Sequence, residues 1–275
     1  MNLHCRDKIL DLCVPRIMGI VNVTPDSFSD GGNLPDARAA IAHALRLLDE
    51  GAEVIDIGGE STRPGAQPVS VDEELSRVVP VIEALRGCSA VLSVDTRHLG
   101  VMRAAIEAGA DMINDVEALA APGALELAAN TGVAVCLMHM QGQPDSMQQH
   151  PVYGDVVDEV EQFLRSKVAL AEQAGIASES IVIDPGFGFG KSLTHNLQLL
   201  RHLGRLKLIG KPLLAGMSRK SMLGQVTGRP VAEREYAGLA AHLYALRQGA
   251  SLFRVHDVAA MRDAILVWQA IGESE

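Results

Sequence analysis

From Ile17 onward the chain alternates short apolar runs with amphipathic stretches of helical period, the pattern that lays down parallel strands and covers them with crossover helices. Eight runs read as strands: Ile17–Val21, Val54–Ile57, Val91–Val94, Met112–Asn114, Val133–Met138, Ile181–Ile183, Leu213–Ala215 and Leu252–Val255. In the first intervening helix Ala37, Ala40, Ile41, Ala44, Leu45 and Leu48 share one face, with Asp36 as its expected cap and Gly51 as its stop. The next opens on Ser70-Val71-Asp72-Glu73, a capping-box pattern, carries Leu75, Val78, Val79, Ile82 and Leu85 on one stripe, and ends at Gly87. No Pro/Gly/Ser-rich linker interrupts the series. The expectation is an α/β fold, a closed (β/α)₈ TIM barrel forming a single domain over residues 1–275, rather than an open doubly wound sheet. A chain of 275 residues with 48% hydrophobic content suits such a barrel, which takes about 250 residues.

Polar residues stand where these strands end. Asn22 follows the first, Asp56 lies within the second, Asp95 follows the third, and Asn114 with Asp115 closes the fourth. His139 follows the fifth, Asp184 the sixth, Ser218-Arg219-Lys220 the seventh, and Arg254 with His256 closes the eighth. In a barrel these ends converge on one face, where the active sites of this fold lie. Either aspartate, Asp95 or Asp184, can serve a ligand or merely tie down a loop. Asp56, just before Gly58-Gly59, is expected to brace that turn, and His139, between Met138 and Met140, to be a satisfied core residue.

The stretch Gly186-Phe187-Gly188-Phe189-Gly190-Lys191-Ser192 fits neither nucleotide-binding template. The phosphate-cradling pattern needs glycine at Pro185, and the dinucleotide pattern needs it at Lys191. Its glycines allow a flat ligand to approach the backbone closely, with Phe187 or Phe189 against a ring; a plain flexible turn is the alternative. Arg219, Lys220, Arg254 and His256 form a cationic set on the loops that often bind phosphate in barrels, and Ser221 can lie at a helix N-terminus. Ordinary surface charge is the competing explanation. Arg254 opposes it, because it interrupts Leu252, Phe253 and Val255 and should point into the barrel mouth.

Composition narrows the partners. A formal net charge of -10 opposes a sequence-independent grip on nucleic acid. Cys5, Cys13, Cys88 and Cys136 form no Cys-x-x-Cys pair and read as free thiols, which with the lack of a membrane-length apolar run suggests a soluble cytoplasmic protein.

Taken together, Asn22-Val23-Thr24-Pro25-Asp26-Ser27-Phe28-Ser29-Asp30-Gly31-Gly32 and Gly58-Gly59-Glu60-Ser61-Thr62-Arg63-Pro64-Gly65 resemble the first two signatures of the dihydropteroate synthases. Ser93-Val94-Asp95-Thr96, Ile113-Asn114-Asp115, Met138-His139, Asp184 to Lys191, Ser218-Arg219-Lys220-Ser221 and Arg254-Val255-His256-Asp257 match the family in the same order. The residues after Asn114-Asp115, including Glu117, depart from its pattern.

The resemblance implies a transferase of folate biosynthesis that condenses 6-hydroxymethyl-7,8-dihydropterin pyrophosphate with p-aminobenzoate, releasing pyrophosphate. It places Asp95, Asn114, Asp184 and Lys220 at the pterin's polar edges, with Arg254 over the ring and reaching the pyrophosphate. Thr62, Arg63 and His256 fall near the pyrophosphate-bearing substrate, and Asn22 at a magnesium site. Phe28, Pro64 and Phe189 would wall the p-aminobenzoate ring, with Lys220 and Ser221 on its carboxylate side. Arg63, Lys220 and Arg254 would act electrostatically, with no single general base, since the arylamine is already neutral near pH 7. Nearby carboxylates such as Asp95 could stabilise a carbocation-like pterin. Sulfonamides, which mimic p-aminobenzoate, would compete, and the family suggests a homodimer using helices late in the chain. Rival readings are a pterin-dependent methyltransferase domain, which would have no pyrophosphate to hold, and a barrel that binds pterin without turnover.

Overall fold

The computed structural model describes residues 1–23, 33–61, 69–143 and 146–272. A two-stranded hairpin, β1 (Asn2–Cys5) and β2 (Lys8–Asp11), precedes eight parallel strands: β3 (Arg16–Asn22), β4 (Val54–Gly58), β5 (Val91–Asp95), β6 (Met112–Asp115), β7 (Ala134–Met138), β8 (Ile181–Asp184), β9 (Leu214–Ala215) and β10 (Leu252–Val255). Between and after them lie α1 (Asn33–Asp49), α2 (Val71–Leu85), α3 (Leu99–Ala108), α4 (Ala124–Thr131), α5 (Val156–Gln173), α6 (Leu193–Arg201), α7 (Ser221–Thr227), α8 (Glu235–Arg247) and α9 (Val258–Gly272). The sheet order is β8-β7-β6-β5-β4-β3-β10-β9, and a parallel bridge between Ile183 and Leu213 joins its two edges. The expected barrel is formed.

Side-chain alternation along the strands explains both halves of the interior. Met18, Val54, Val91, Met112, Ala134, Val182, Leu214 and Leu252 make one buried cluster with Leu3, Cys5, Leu10 and Leu12 of the hairpin, which plugs the N-terminal end. Their alternates, such as Ile17, Ile55, Leu92, Ile113 and Phe253, pack under the helices. Two residues farther along the inward-facing parity, the side chains turn polar: Asp56, Ser93, Asn114, Asp184 and Arg254. One sequence period thus builds an apolar floor and a polar mouth.

Local expectations needed two corrections. α1 begins at Asn33, so Asp36 lies inside its first turn and is not the cap. Pro35 is compatible with that start, because a first-turn residue has no intrahelical N–H bond to lose. At α2 only half of the capping box forms: Ser70 Oγ accepts the Glu73 N–H at 3.2 Å, while the Glu73 carboxylate accepts from Arg77, one turn on. The hairpin escaped the sequence pattern because its alternation is broken: Lys8 shares the floor-facing side with Cys5 and Leu10, while Ile9 is exposed. Lys8 donates to Asp111 at 2.8 Å and to the Ala90 carbonyl at 2.6 Å, lacing the plug to the barrel.

Candidate active site

Arg254 organises the mouth. Its Nε donates to Asp56 Oδ2 and its Nη2 to Asp95 Oδ2, each at 2.6 Å. Ser93 Oγ donates to Asp56 Oδ1 at 2.6 Å, and Asn114 Nδ2 to Asp56 Oδ2 at 3.1 Å. Asp56, fully buried, is therefore the hub of the mouth and not a brace for the Gly58-Gly59 turn. The reason is parity: Val54 faces the floor, so Asp56, two residues on, faces the same interior.

The electrostatics follow from burying several carboxylates around few cations. Burial pushes the Asp95 carboxyl up to about 7; Arg254 opposes this and the Asp56 carboxylate adds to it. Burial also raises Asp184, against the pull of Lys220 and the Gly186 N–H. Lys220 is lowered to about 8 by its own burial, with Asp184 opposing. For Arg254 burial acts downward, yet Asp56 and Asp95 outweigh it and hold the guanidinium charged.

The loop after β8 is built around the buried amino group of Lys191, which burial pushes well below the ordinary lysine range. Lys191, 2% exposed, donates to the carbonyls of Gly186 (2.9 Å), Phe189 (3.0 Å) and His139 (3.3 Å), and lies 2.9 Å from His139 Nδ1. His139 packs edge-on to Phe163 at 4.9 Å and is driven down to about 3 by burial and the facing lysine. It is the satisfied core residue expected of it. Two glycines of this loop serve packing between loops, since a Cβ on Gly186 would overlap the His139 carbonyl and one on Gly190 the Gln141 carbonyl; Gly188 faces the Lys220 side chain, which a Cβ there would approach to 3.2 Å. Phe187 is fully buried in the core and unavailable to a ligand, whereas the half-buried Phe189 ring lies 4.5 Å from Lys220 Nζ. Lys220 also donates to the Phe187 carbonyl.

Arg219 takes a left-handed φ of 60° and turns outward to Asp257 at 2.7 Å, leaving Lys220 as the inward cation of that turn. Arg234 donates to the Arg219 carbonyl at 3.1 Å, which holds the turn. His256 lies against Ser218 Oγ through its backbone N–H (3.3 Å) and Nδ1 (3.0 Å). Asn22 ends β3 in register with Gly58, which is itself in register with Asp95.

The structure thus brings together Asp95, Asn114 and Arg254 through Asp56, and Asp184 with Lys220 and Phe189. Asn22 and His256 stand on the same rim. Ser221 is the exposed first residue of α7 and shows no hydrogen bond to this group. Phe28, Thr62, Arg63 and Pro64 lie outside the described residues. Asp56 and Lys191 are the residues whose importance the sequence understated; the inward parity of Asp56 was the available signal. A cleft of about 560 Å³ at the opposite end, lined by Met1, His4, Cys13, Glu179 and Pro212 among others, is away from the strand C-termini and lacks these ion pairs.

The sequence profile of the pterin binding enzymes matches residues 18–256. A dihydropteroate synthase of Haemophilus influenzae is 51% identical over 275 residues, all of both chains. A structure of the Xanthomonas albilineans dihydropteroate synthase with 4-aminobenzoic acid has a TM-score of 0.94 and 55% identity, covering 100% of this chain and 99% of that one. The Yersinia pestis dihydropteroate synthase in complex with a sulfonamide drug has a TM-score of 0.94 and 50% identity, with 100% of each chain covered. The chain belongs to the dihydropteroate synthases, within the pterin binding enzymes.

Proposed function

We propose that the barrel mouth joins 6-hydroxymethyl-7,8-dihydropterin pyrophosphate to p-aminobenzoate, yielding 7,8-dihydropteroate and pyrophosphate. The observation that carries this reading is the inward polar set of Asp56, Asp95, Asn114, Asp184, Lys220 and Arg254 above an apolar floor. A pterin offers a fixed row of donors and acceptors, and carboxylates beside an amide and an ammonium complement such an edge. Asp184 spends one oxygen on the Gly186 N–H at 2.7 Å, leaving the other to accept from the ligand. Arg254, already oriented by two carboxylates, would present its planar guanidinium to the ring and its charge to the pyrophosphate.

In the reaction the bond from the exocyclic methylene to the pyrophosphate oxygen breaks, the arylamine nitrogen bonds to that carbon, and the amine then loses a proton to solvent. Negative charge grows on the leaving group, where Arg63, Arg254 and His256 would stabilise it; Asp95 would stabilise positive charge on the pterin. Lys220, with Phe189 beside it, would meet the pterin and the carboxylate side of p-aminobenzoate, with Phe28, Pro64 and Ser221 completing that pocket. Sulfonamides would compete there.

Magnesium fits this donor set. Asn22 offers a single neutral oxygen, suited to an ion that keeps waters and takes phosphate oxygens. Bound there, magnesium would neutralise charge on the leaving pyrophosphate.

We also place the protein in the cytoplasm as a homodimer of one-domain chains. Its four cysteines are unpaired, and no described helix is long and apolar enough to cross a membrane. The dimer reading is supported by Tyr236 and Tyr244 of α8 and Leu266, Val267 and Ile271 of α9, all exposed apolar side chains.

The test is an assay with both substrates and magnesium, scoring dihydropteroate and pyrophosphate. Equal amounts of both products are expected. A folded protein that binds pterin and forms neither would leave the non-catalytic barrel as the better reading.

A further inference from the structure

The loops after β4, β5 and β6 are tied together by charges that the transfer chemistry leaves unused. Arg97 Nε donates to Glu60 Oε2 at 3.0 Å and Nη2 to Glu60 Oε1 at 3.2 Å, while Nη1 donates to Glu117 Oε1 at 3.4 Å. Glu60 Oε1 also accepts the Val69 backbone N–H at 3.2 Å. One carboxylate therefore holds both ends of segment 60–69. The Glu60 side chain is 7% exposed and that of Arg97 24%, so the pair is shielded, forked and networked, unlike an isolated surface ion pair.

Both flanks of this clamp are fixed. Below it, Arg77 of α2 donates to the Gly59 carbonyl at 2.6 Å. A Cβ on Gly59 would come within 3.0 Å of both Glu74 Cγ and Val78 Cγ1, so the stem lies directly on the helix. Beside it, Asp115 accepts the N–H groups of Glu117 and Leu119, both at 2.8 Å, and sets a turn in which Ala118 and Leu119 have φ of 51° and 57°. Arg97 stands two residues past Asp95, and Glu117 three past Asn114. The clamp thus spans the two strands whose ends face the pterin pocket.

We infer that Arg97 is a positioning residue for the transfer reaction, gripping Glu60 and Glu117 so that both ends of segment 60–69 are set against the strands bearing Asp95 and Asn114. The inference rests on the synthase reading of the mouth. Without the guanidinium, Glu60 and Glu117 lose the cation they share, and the Glu60 stem moves away from β5. The deep pocket of Asp56, Asp95, Asn114 and Asp184 keeps its own bonds and is unaffected.

The experiment compares wild type, Arg97→Met and Arg97→Lys as full chains, measuring kcat and KM for p-aminobenzoate, pterin affinity by titration, and thermal melting. In Arg97→Met, kcat/KM for p-aminobenzoate is expected to fall about tenfold, with pterin affinity held within about twofold, since a small displacement of a positioned group is costly to rate. Arg97→Lys should recover part of the loss, retaining charge without the fork. Wild-type kcat/KM in Arg97→Met overturns the inference, and so does a parallel loss of pterin binding and melting temperature, which would make Arg97 merely structural. A wild type without product would instead overturn the synthase reading itself, and the inference with it.

Discussion

Arg254 reaches Asp95 across the mouth at 2.6 Å, linking β10 to β5 while its Nε holds Asp56. One planar fork satisfies two carboxylates that would otherwise repel in a confined space. Lysine keeps the charge and cannot span both. Arg254→Lys should lower kcat/KM by about a hundredfold with the fold intact, as expected when a preorganised electrostatic group is lost. Arg254→Met should also cost about 3 kcal/mol in denaturant unfolding, because it strands buried carboxylates. Near-native turnover of the lysine variant would remove Arg254 from the site.

The shifted groups set a pH profile for the free enzyme. Asp95, pushed up to about 7, must be ionised to pair with Arg254 and face positive charge, so kcat/KM should rise as pH passes upward through that value. Lys220, lowered to about 8, must stay protonated, so activity should fall above it. The profile is a narrow bell. Lys220→Arg should lift the alkaline limb, since a guanidinium stays charged there; an unchanged limb would assign it to another group.

Lys191 offers a separate test of the loop after β8, because its amino group is shared among three carbonyls and the His139 ring. Lys191→Met leaves those acceptors buried and unpaired. A loss of about 2–4 kcal/mol of stability is expected from such orphaned groups, together with weaker pterin binding through the disturbed Asp184–Gly186 turn. Unaltered melting and affinity would show that the glycine turns hold the loop unaided.

Much of this was legible in the chain. Eight apolar runs at the spacing of crossover units predicted the barrel, and the break that Arg254 makes in β10 predicted its inward aim, because strand parity is a local property. Asp56 was misread since its decisive partner Arg254 lies 198 residues away, and only barrel closure brings them together. Lys191 invited comparison with phosphate-binding lysines, yet packing of the loops after β7 and β8 buries it. Phe187 looked available for a ligand ring, but its side chain belongs to the core beneath the loop, a choice between two faces that composition does not encode. The Arg97 clamp was equally invisible, since it joins three loops whose proximity follows only from the sheet order.

That this mouth reads a pterin through Asp184 is tested by calorimetric titration of a pterin into wild type and Asp184→Asn. Asparagine can keep the 2.7 Å bond from the Gly186 N–H through its one amide oxygen, so folding and melting should be retained. It then offers an NH₂ where the ligand also presents donors, and affinity should fall by about a hundredfold, the scale of a buried charged hydrogen bond lost with its partner unpaired. Unchanged pterin affinity in a natively folded Asp184→Asn protein would contradict the claim.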